Sequence, residues 1–320
     1  MLIFIKLQNH IKFKSPSYKG VLDIYGISQD PNTKEYILVM RYARDGSLRD
    51  YLTKNFKDLK WNDKIGMLYN IILGLNNIHQ EQLMHHDLHS GNILHSEWIS
   101  QGVMVADLGL SVSADQEPSS IVGVVPYIAP EVLNGKPYTQ KSDIYSFGIL
   151  MSVISTGQQP FNDKAHGYGL MLEICEGLRP AFSNNTPKFY IEFAYKCMDA
   201  DPDNRPTAEE ILKTISFWKD AGDIEEILKS NKPNFWKDIK EILKSNKTKY
   251  SKKQLDELRK IRKILDKMDD IKYDPLTIPV TKHPDAVYTS RILKSRNLPQ
   301  PINSNKVTIV SNNCGNYLIH

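Results

Sequence analysis

Leu83-Met84-His85-His86-Asp87-Leu88-His89-Ser90-Gly91-Asn92-Ile93-Leu94 is the stretch that decides how this 320-residue sequence is read. It sets an acid, Asp87, and an amide, Asn92, five residues apart between apolar, β-rich flanks. That spacing suits a loop that orients a hydroxyl and holds a metal. Asp87 can accept the proton of an attacking hydroxyl, and Asn92, a neutral oxygen ligand, can help hold Mg²⁺. Fifteen residues beyond Asn92, Val105-Ala106-Asp107-Leu108-Gly109 reads as a strand that delivers a second carboxylate to a bend permitted by glycine.

Upstream of the loop, residues 62–80 predict a helix. Ile65, Leu68, Ile72, Leu75 and Ile78 recur at three- and four-residue steps with few charges between them, so more than one stripe is buried. Residues 21–43 predict a strand hairpin. Val21-Leu22-Asp23-Ile24-Tyr25 and Tyr36-Ile37-Leu38-Val39-Met40 flank the turn signal Asp30-Pro31-Asn32. Downstream, an apolar run from Ile144 to Ile154 follows Ser142-Asp143, read as its N-cap pair. Gly177 and Pro180 close the helix before them, and Pro187 opens the next.

His85-His86-Asp87 followed by Asn92 resembles the catalytic loop of protein kinases, and Asp107-Leu108-Gly109 resembles their metal-binding DFG element. Taken alone, His-x-Asp-Leu-His-x-Gly-Asn is also how small-molecule kinases of the aminoglycoside and choline type read. Later motifs decide between them. Ala129-Pro130-Glu131 sits 22 residues after Asp107, as an activation segment would place it. Ser142-Asp143-Ile144-Tyr145-Ser146-Phe147-Gly148 resembles the central helix of the protein-kinase C-lobe, and Cys197, Asp201-Pro202 and Arg205-Pro206-Thr207 resemble its end. On these motifs, in the family's order across residues 83–207, the chain is identified as a member of the eukaryotic protein kinase family. It looks closest to the tyrosine-kinase-like branch, which mostly phosphorylates serine and threonine.

The resemblance implies an α+β, protein-kinase-like fold: a mainly helical C-lobe over residues 44–218, preceded by an N-lobe remnant over residues 1–43. It implies ATP and Mg²⁺ as cofactors and a protein as substrate. Asp87 would be the catalytic base, with Asn92 and Asp107 holding metal. Val39-Met40-Arg41-Tyr42-Ala43 looks like the strand-to-hinge segment, with Met40 as gatekeeper and the backbones of Arg41 and Ala43 facing an adenine. Gly46-Ser47-Leu48 fits the start of the next helix, and Leu94 fits the apolar floor under the base. Glu131 should pair with Arg205, and Asp143 should hold the backbone of the catalytic loop.

The pattern is incomplete. No GxGxxG lid precedes the hinge, and no acidic residue precedes Asp23 to serve as the helix Glu. Lys6, Lys12, Lys14 and Lys19 lie too close to the hairpin to leave room for an intervening helix. The sheet is therefore expected to be incomplete, with bared edge strands prone to association and a chain that starts inside the regulatory helix. His86 replaces the usual Arg, which makes control through Ser111, Ser113, Ser119 or Ser120 less expected. His89 stands where serine/threonine kinases usually place a Lys that touches the transferred phosphate, and Val124 where they usually place a Thr; both leave the acceptor open between Ser/Thr and Tyr. Two functions follow: a kinase whose catalysis by these 320 residues alone is doubtful, or a pseudokinase-like scaffold. A small-molecule kinase is a distant third.

Composition is ordinary for a soluble globular protein: 41% apolar, 24% charged, formal charge +4. So mild a charge gives no support for nucleic-acid binding. Cys175, Cys197 and Cys314 form no CxxC pair, which argues against a disulfide or zinc framework. The opening apolar run is broken at Lys6, too short for a signal core or a bilayer span. A cytoplasmic protein is expected, with the nucleus left open. Residues 219–272 predict a charged helical extension in which Phe217-Trp218-Lys219-Asp220 recurs as Phe235-Trp236-Lys237-Asp238 and Ile227–Lys232 recurs as Ile242–Lys247. Leu255, Leu258, Ile261, Leu265 and Met268 form a narrow stripe, read as a solvated or loosely docked helix or, alternatively, a partner-binding one within 223–272. Residues 273–320, with five prolines by Pro301, read as an irregular polar tail.

Overall fold

The computed structural model describes residues 13, 20–95, 102–108, 121–229, 250–271, 282–293, 298–304, 307–310 and 317–319. The lysines before the hairpin, the four serines between Asp107 and Ile121, the second copy of the duplication and Cys314 lie outside them.

A hairpin comes first. β1 (Ile24–Gln29) pairs antiparallel with β2 (Tyr36–Met40), with an irregularity between Ile24 and Gly26. The Asp30 carboxylate closes the turn by accepting the N–H groups of Asn32 and Thr33 at 2.7 and 2.9 Å. The first strand thus begins at Ile24 rather than Val21. Residues before it go elsewhere: Leu22 N–H donates to the Val105 carbonyl and Val105 N–H to the Gly20 carbonyl, both at 2.8 Å. Glycine is required there, because a Cβ on Gly20 (φ +88°) would lie 2.5 Å from the Gly74 backbone nitrogen.

Helix α1 (Leu48–Asn55) starts on a reciprocal cap between Ser47 and Asp50, as Gly46-Ser47-Leu48 implied. Helix α2 (Trp61–Gln80) follows, and its five periodic residues Ile65, Leu68, Ile72, Leu75 and Ile78 are all fully buried. The antiparallel pair β3 (Ile93–His95) and β4 (Val103–Val105) lies against it, followed by β5 (Ile121–Gly123), a 3₁₀ turn at Val125–Tyr127 and the short α3 (Pro130–Leu133).

The central helix α4 (Gln140–Thr156) is buried on nearly every side and ends on Gly157, whose φ of +70° suits a left-handed cap. Its start corrects the sequence reading. Thr139 is the cap residue, and Ser142 is the third helical residue that returns the bond. Asp143, one position further in, turns to another part of the molecule. Helices α5 (Tyr168–Cys175) and α6 (Lys188–Cys197) follow, separated by Gly177 and opened by Pro187 as expected. The short β6 (Phe182–Ser183) lies between them.

Helix α7 (Ala208–Lys229) runs without a break through Trp218, where the composition changes. Helix α8 (Lys252–Asp270) packs on α2 and α7. Leu258, Ile261 and Leu265 are buried, with Leu255 and Met268 packed at the edge of the main core. The Asp269 carboxylate accepts the Trp61 N–H at 2.8 Å and so joins the end of α8 to the first turn of α2.

The stretch expected to be an irregular polar tail is different where it is described. Strand β7 (Arg291–Leu293) pairs antiparallel with β5, while β8 (Val307–Val310) pairs parallel with β6 and antiparallel with β9 (Tyr317–Ile319). Ala286, Tyr288 and Leu298 are buried in the core. The prolines punctuate this segment without preventing it from docking, because backbone pairing to an existing strand needs few apolar side chains. The chain is thus α+β, with strands at its front edge and a helical body around α2 and α4. Among the described residues no helix is long and apolar enough to cross a membrane.

Candidate active site

Between the C-terminus of α2 and β3 the chain forms a loop whose backbone is held from beneath. The Asp143 carboxylate accepts the His85 N–H at 2.8 Å, the His86 N–H at 3.0 Å and His79 Nε2 at 2.9 Å. Burial pushes the Asp143 carboxyl up, but the hydrogen bond and charge of His79, with His85, outweigh it and leave the group below the ordinary carboxylate value of 3.8. His86 adopts φ +69° and stacks on Tyr138 with ring centroids 4.6 Å apart. Burial lowers the pKa of its imidazole. His85 is fully buried, with Nε2 2.9 Å from the Ala106 carbonyl and Nδ1 accepting the Asp87 N–H at 3.3 Å.

This scaffold presents Asp87, His89 and Asn92 together. Asn92 Nδ2 donates to the Asp87 carbonyl at 2.9 Å and to Asp87 Oδ2 at 3.3 Å. His89 Nδ1 accepts the Gly91 N–H at 3.0 Å, which leaves the ring proton on Nε2, 3.5 Å from Asp87 Oδ2. Burial raises the Asp87 carboxyl, yet the hydrogen bond and charge of His89, together with the Ser290 hydroxyl and His85, bring it below its ordinary value. Asp87 is therefore an anion at neutral pH, almost buried and able to accept a proton.

Asp107 comes to the same end of the β3–β4 ladder. Ile93 pairs with Val105, and the Asn92 carbonyl accepts the Ala106 N–H at 2.8 Å, so Asn92 and Asp107 flank one hydrogen-bonded position. Asp107 has φ +60°, and this left-handed turn leaves it exposed at the end of the strand. An amide oxygen and a carboxylate so presented fit a hard divalent cation with oxygen preference.

The expected nucleotide residues divide into two groups. Leu94 packs on a small apolar cluster of Leu22, Met104 and Ala106 below β3. Met40, Arg41 and Ala43 lie at the end of the hairpin. The Arg41 N–H donates to the Asp23 carbonyl at 2.9 Å, which leaves its carbonyl side for another partner, and Met40 is 42% exposed and belongs to neither apolar cluster.

Glu131 and Arg205 form the expected bidentate pair at 2.7 and 2.6 Å, both side chains almost fully buried. Several residues were not singled out from the sequence. His79 completes the Asp143 anchor from 64 residues away. Gly123 (φ +152°) lies so near the base that an added Cβ would sit 3.6 Å from Asp87 Oδ1. Ser290 donates its hydroxyl to Asp87 Oδ2 and lies 3.4 Å from His89 Nε2. No local pattern marks any of them, since each meets a partner distant in sequence.

A helical body whose buried aspartate anchors a loop, with a carboxylate and an amide on that loop and a second carboxylate at the next strand end, has the layout of a protein-kinase domain. A family profile described as "Protein tyrosine and serine/threonine kinase" matches residues 7–215, and the chain belongs to that family. Among curated relatives, it is 34% identical over 217 residues to probable serine/threonine-protein kinase roco8 of Dictyostelium discoideum, covering 64% of this chain and 11% of that protein. It is 30% identical over 181 residues to putative serine/threonine-protein kinase/receptor R831 of Acanthamoeba polyphaga mimivirus, covering 56% and 11%. It is 28% identical over 237 residues to dual specificity protein kinase splA of Dictyostelium discoideum, covering 68% and 10%. The chain thus spans about a tenth of the length of these relatives.

Proposed function

We propose that this kinase domain transfers the γ-phosphoryl group of ATP to a serine or threonine hydroxyl of a protein substrate. The carrying observation is the anionic, nearly buried Asp87, held within hydrogen-bond reach of Asn92 and facing a serine hydroxyl. Asp87 orients the acceptor hydroxyl and takes its proton as the oxygen attacks phosphorus. His89 Nε2–H aims at the same space and stabilises negative charge arriving there, the part usually given to a lysine. Asn92 and Asp107 would hold Mg²⁺, which supplies neutralising charge to the phosphates when bound. The carbonyl of Arg41 and the backbone of Ala43 would meet the adenine edge, with Leu94 beneath the ring. Relatives named as serine/threonine kinases favour those acceptors, and the dual specificity relative keeps tyrosine within reach of experiment.

Residues 1–43 serve on this reading as the hinge side of the nucleotide site, residues 44–218 as the catalytic body, and residues 219–320 as an extension whose described helix α8 and 282–293 segment pack on that body. The stripe on α8 is covered by α2 and α7, which favours a docked helix over one awaiting a partner protein. The second reading, a scaffold that presents its surface to partners, draws on the sequence before the hinge, which has no GxGxxG motif.

One titration separates them. Mg²⁺-ATP added to the purified chain should raise its melting temperature by several degrees, and Asp107→Asn should remove the rise. A phosphotransfer assay then follows. No shift at millimolar nucleotide would reject the enzymatic reading in favour of the scaffold.

A further inference from the structure

Residues 282–293 run along the face that carries Asp87, fixed on both sides of Ser290. On the N-terminal side Tyr288 is buried; its hydroxyl donates to the Pro160 carbonyl at 2.9 Å and its ring meets His166 edge-on, centroids 4.8 Å apart. The His166 backbone N–H donates to the Asp285 carbonyl at 3.0 Å, and the ring Nδ1 lies 3.0 Å from the Val287 carbonyl. On the C-terminal side β7 adds to β5, with Arg291 opposite Gly123 and Leu293 opposite Ile121. Ile292 stays 72% exposed, so main-chain pairing, not a greasy pocket, holds this half.

The two anchors set the register. A slip of one residue in the β5–β7 pairing would displace Ser290, next to the strand, from Asp87. As it stands, the Ser290 hydroxyl donates to Asp87 Oδ2 and lies 3.4 Å from His89 Nε2. A mere covering segment has no need to set a hydroxyl on the one carboxylate suited to deprotonate it. The pairing with β5 also places the residue after the hydroxyl, Arg291, opposite Gly123, whose α-carbon lies next to Asp87.

We propose that Ser290 is a phosphoacceptor of this chain, presented to Asp87 by its own 282–293 segment as a substrate strand. The inference rests on the kinase reading above and adds the acceptor and its route. Ser290 Oγ attacks the γ-phosphorus of a bound nucleoside triphosphate, and an O–P bond forms. The bond from that phosphorus to the β,γ-bridging oxygen breaks, and the nucleoside diphosphate leaves with the electron pair. The Oγ proton passes to Asp87 Oδ2. Once Asp87 has released that proton to solvent and is an anion again, the product's nearly two negative charges lie beside it, a repulsion that loosens this part of the segment and opens the groove to other peptides.

The test uses the full chain with Mg²⁺-ATP and an added unstructured protein rich in serine and threonine, phosphates being mapped by mass spectrometry. Phosphate should accumulate on Ser290 at a first-order rate unchanged across a dilution series, and should be absent in Ser290→Ala and Asp87→Asn. Ser290 is exposed, so its alanine variant should melt within about 1 °C of the parent. Transfer to the added protein with Ser290 unmodified would overturn the inference and leave the kinase reading standing. Transfer to no hydroxyl at all would overturn both. A Ser290 rate that falls with dilution would overturn presentation within one molecule. Hydrogen exchange gives an arm independent of activity: amides paired between 121–123 and 291–293 should be slow, and solvent-like exchange there would overturn the docked strand.

Discussion

Single side chains in this site carry separable duties on the proposed reading: Asp87 would meet the acceptor and Asn92 and Asp107 would hold metal, whereas Asp143 holds the loop through the His85 and His86 N–H groups. Replacing Asp87 by Asn keeps shape and hydrogen-bonding capacity but removes the base. Phosphotransfer should fall by about 10²-fold or more, while nucleotide-induced stabilisation in the melting assay persists. Equal loss of both would mean that Asp87 is a structural anchor instead. Glu131→Ala makes the opposite separation. It strands the Arg205 guanidinium, which is fully buried and bonded also to the Asp199 and Lys141 carbonyls. A loss of about 3–5 kcal/mol is expected in urea denaturation, and a loss under about 1 kcal/mol would show that water reaches the site and rehydrates the charge.

Two elements behave differently from what their sequences suggest in isolation. Helix α8 is so charged that its sequence reads as a solvated or loosely docked helix, and in the fold Leu258 and Leu265 are almost fully buried. Leu265→Ala should lower stability by about 2–5 kcal/mol. A shift within about 0.5 kcal/mol would mean that α8 is not docked in solution. The β1–β2 hairpin is the reverse case. Tyr25, Ile37, Val39 and Met40 are all exposed on what is, among the described residues, a sheet of two strands, an arrangement that favours pairing with another chain. Light scattering should detect concentration-dependent association, reduced when Tyr25 and Val39 are both replaced by Lys. A monomer at every concentration would remove the hairpin as an association surface.

At the scale of the molecule, pH sensitivity follows from where histidines were buried by folding. His166 lies between the helical body and the 282–293 strand; burial depresses its pKa, and Arg291 and Lys282 depress it further against the raising effect of the Val287 and Phe161 hydrogen bonds. His86 is depressed mainly by burial. For both, the unfolded chain binds protons more readily than the folded one below the ordinary imidazole value of 6.5. Their contribution is therefore intact above that value and lost as pH falls through it toward the depressed folded value. Melting temperature should drop between about pH 7.5 and about pH 5.5, and His166→Gln should drop less. An unchanged slope in the variant would place the sensitivity elsewhere. Asp87 and Asp143, depressed below 3.8, act only at lower pH.

The sequence by itself determined the family, the loop with Asp87 and Asn92, the strand ending at Asp107, and the helices around Ile65–Ile78 and Ile144–Ile154. These are local: helical periodicity, a cap or a turn residue writes each one within a few positions of itself. It also carried the Glu131–Arg205 pair and the Asp143 anchor, but only through resemblance, since nothing local joins residues 74 apart. The Thr139 cap of α4 is local too, a reciprocal box with Ser142 three residues on. Tertiary structure alone decided that α8 docks and that a proline-punctuated tail returns as a strand beside β5. The physical reason is shared by both. Backbone pairing and half-buried stripes gain their free energy from the partner surface, and that surface exists only after distant segments have packed. The hydroxyl of Ser290 reaches Asp87 in this way, across 203 residues of sequence that give no sign of it.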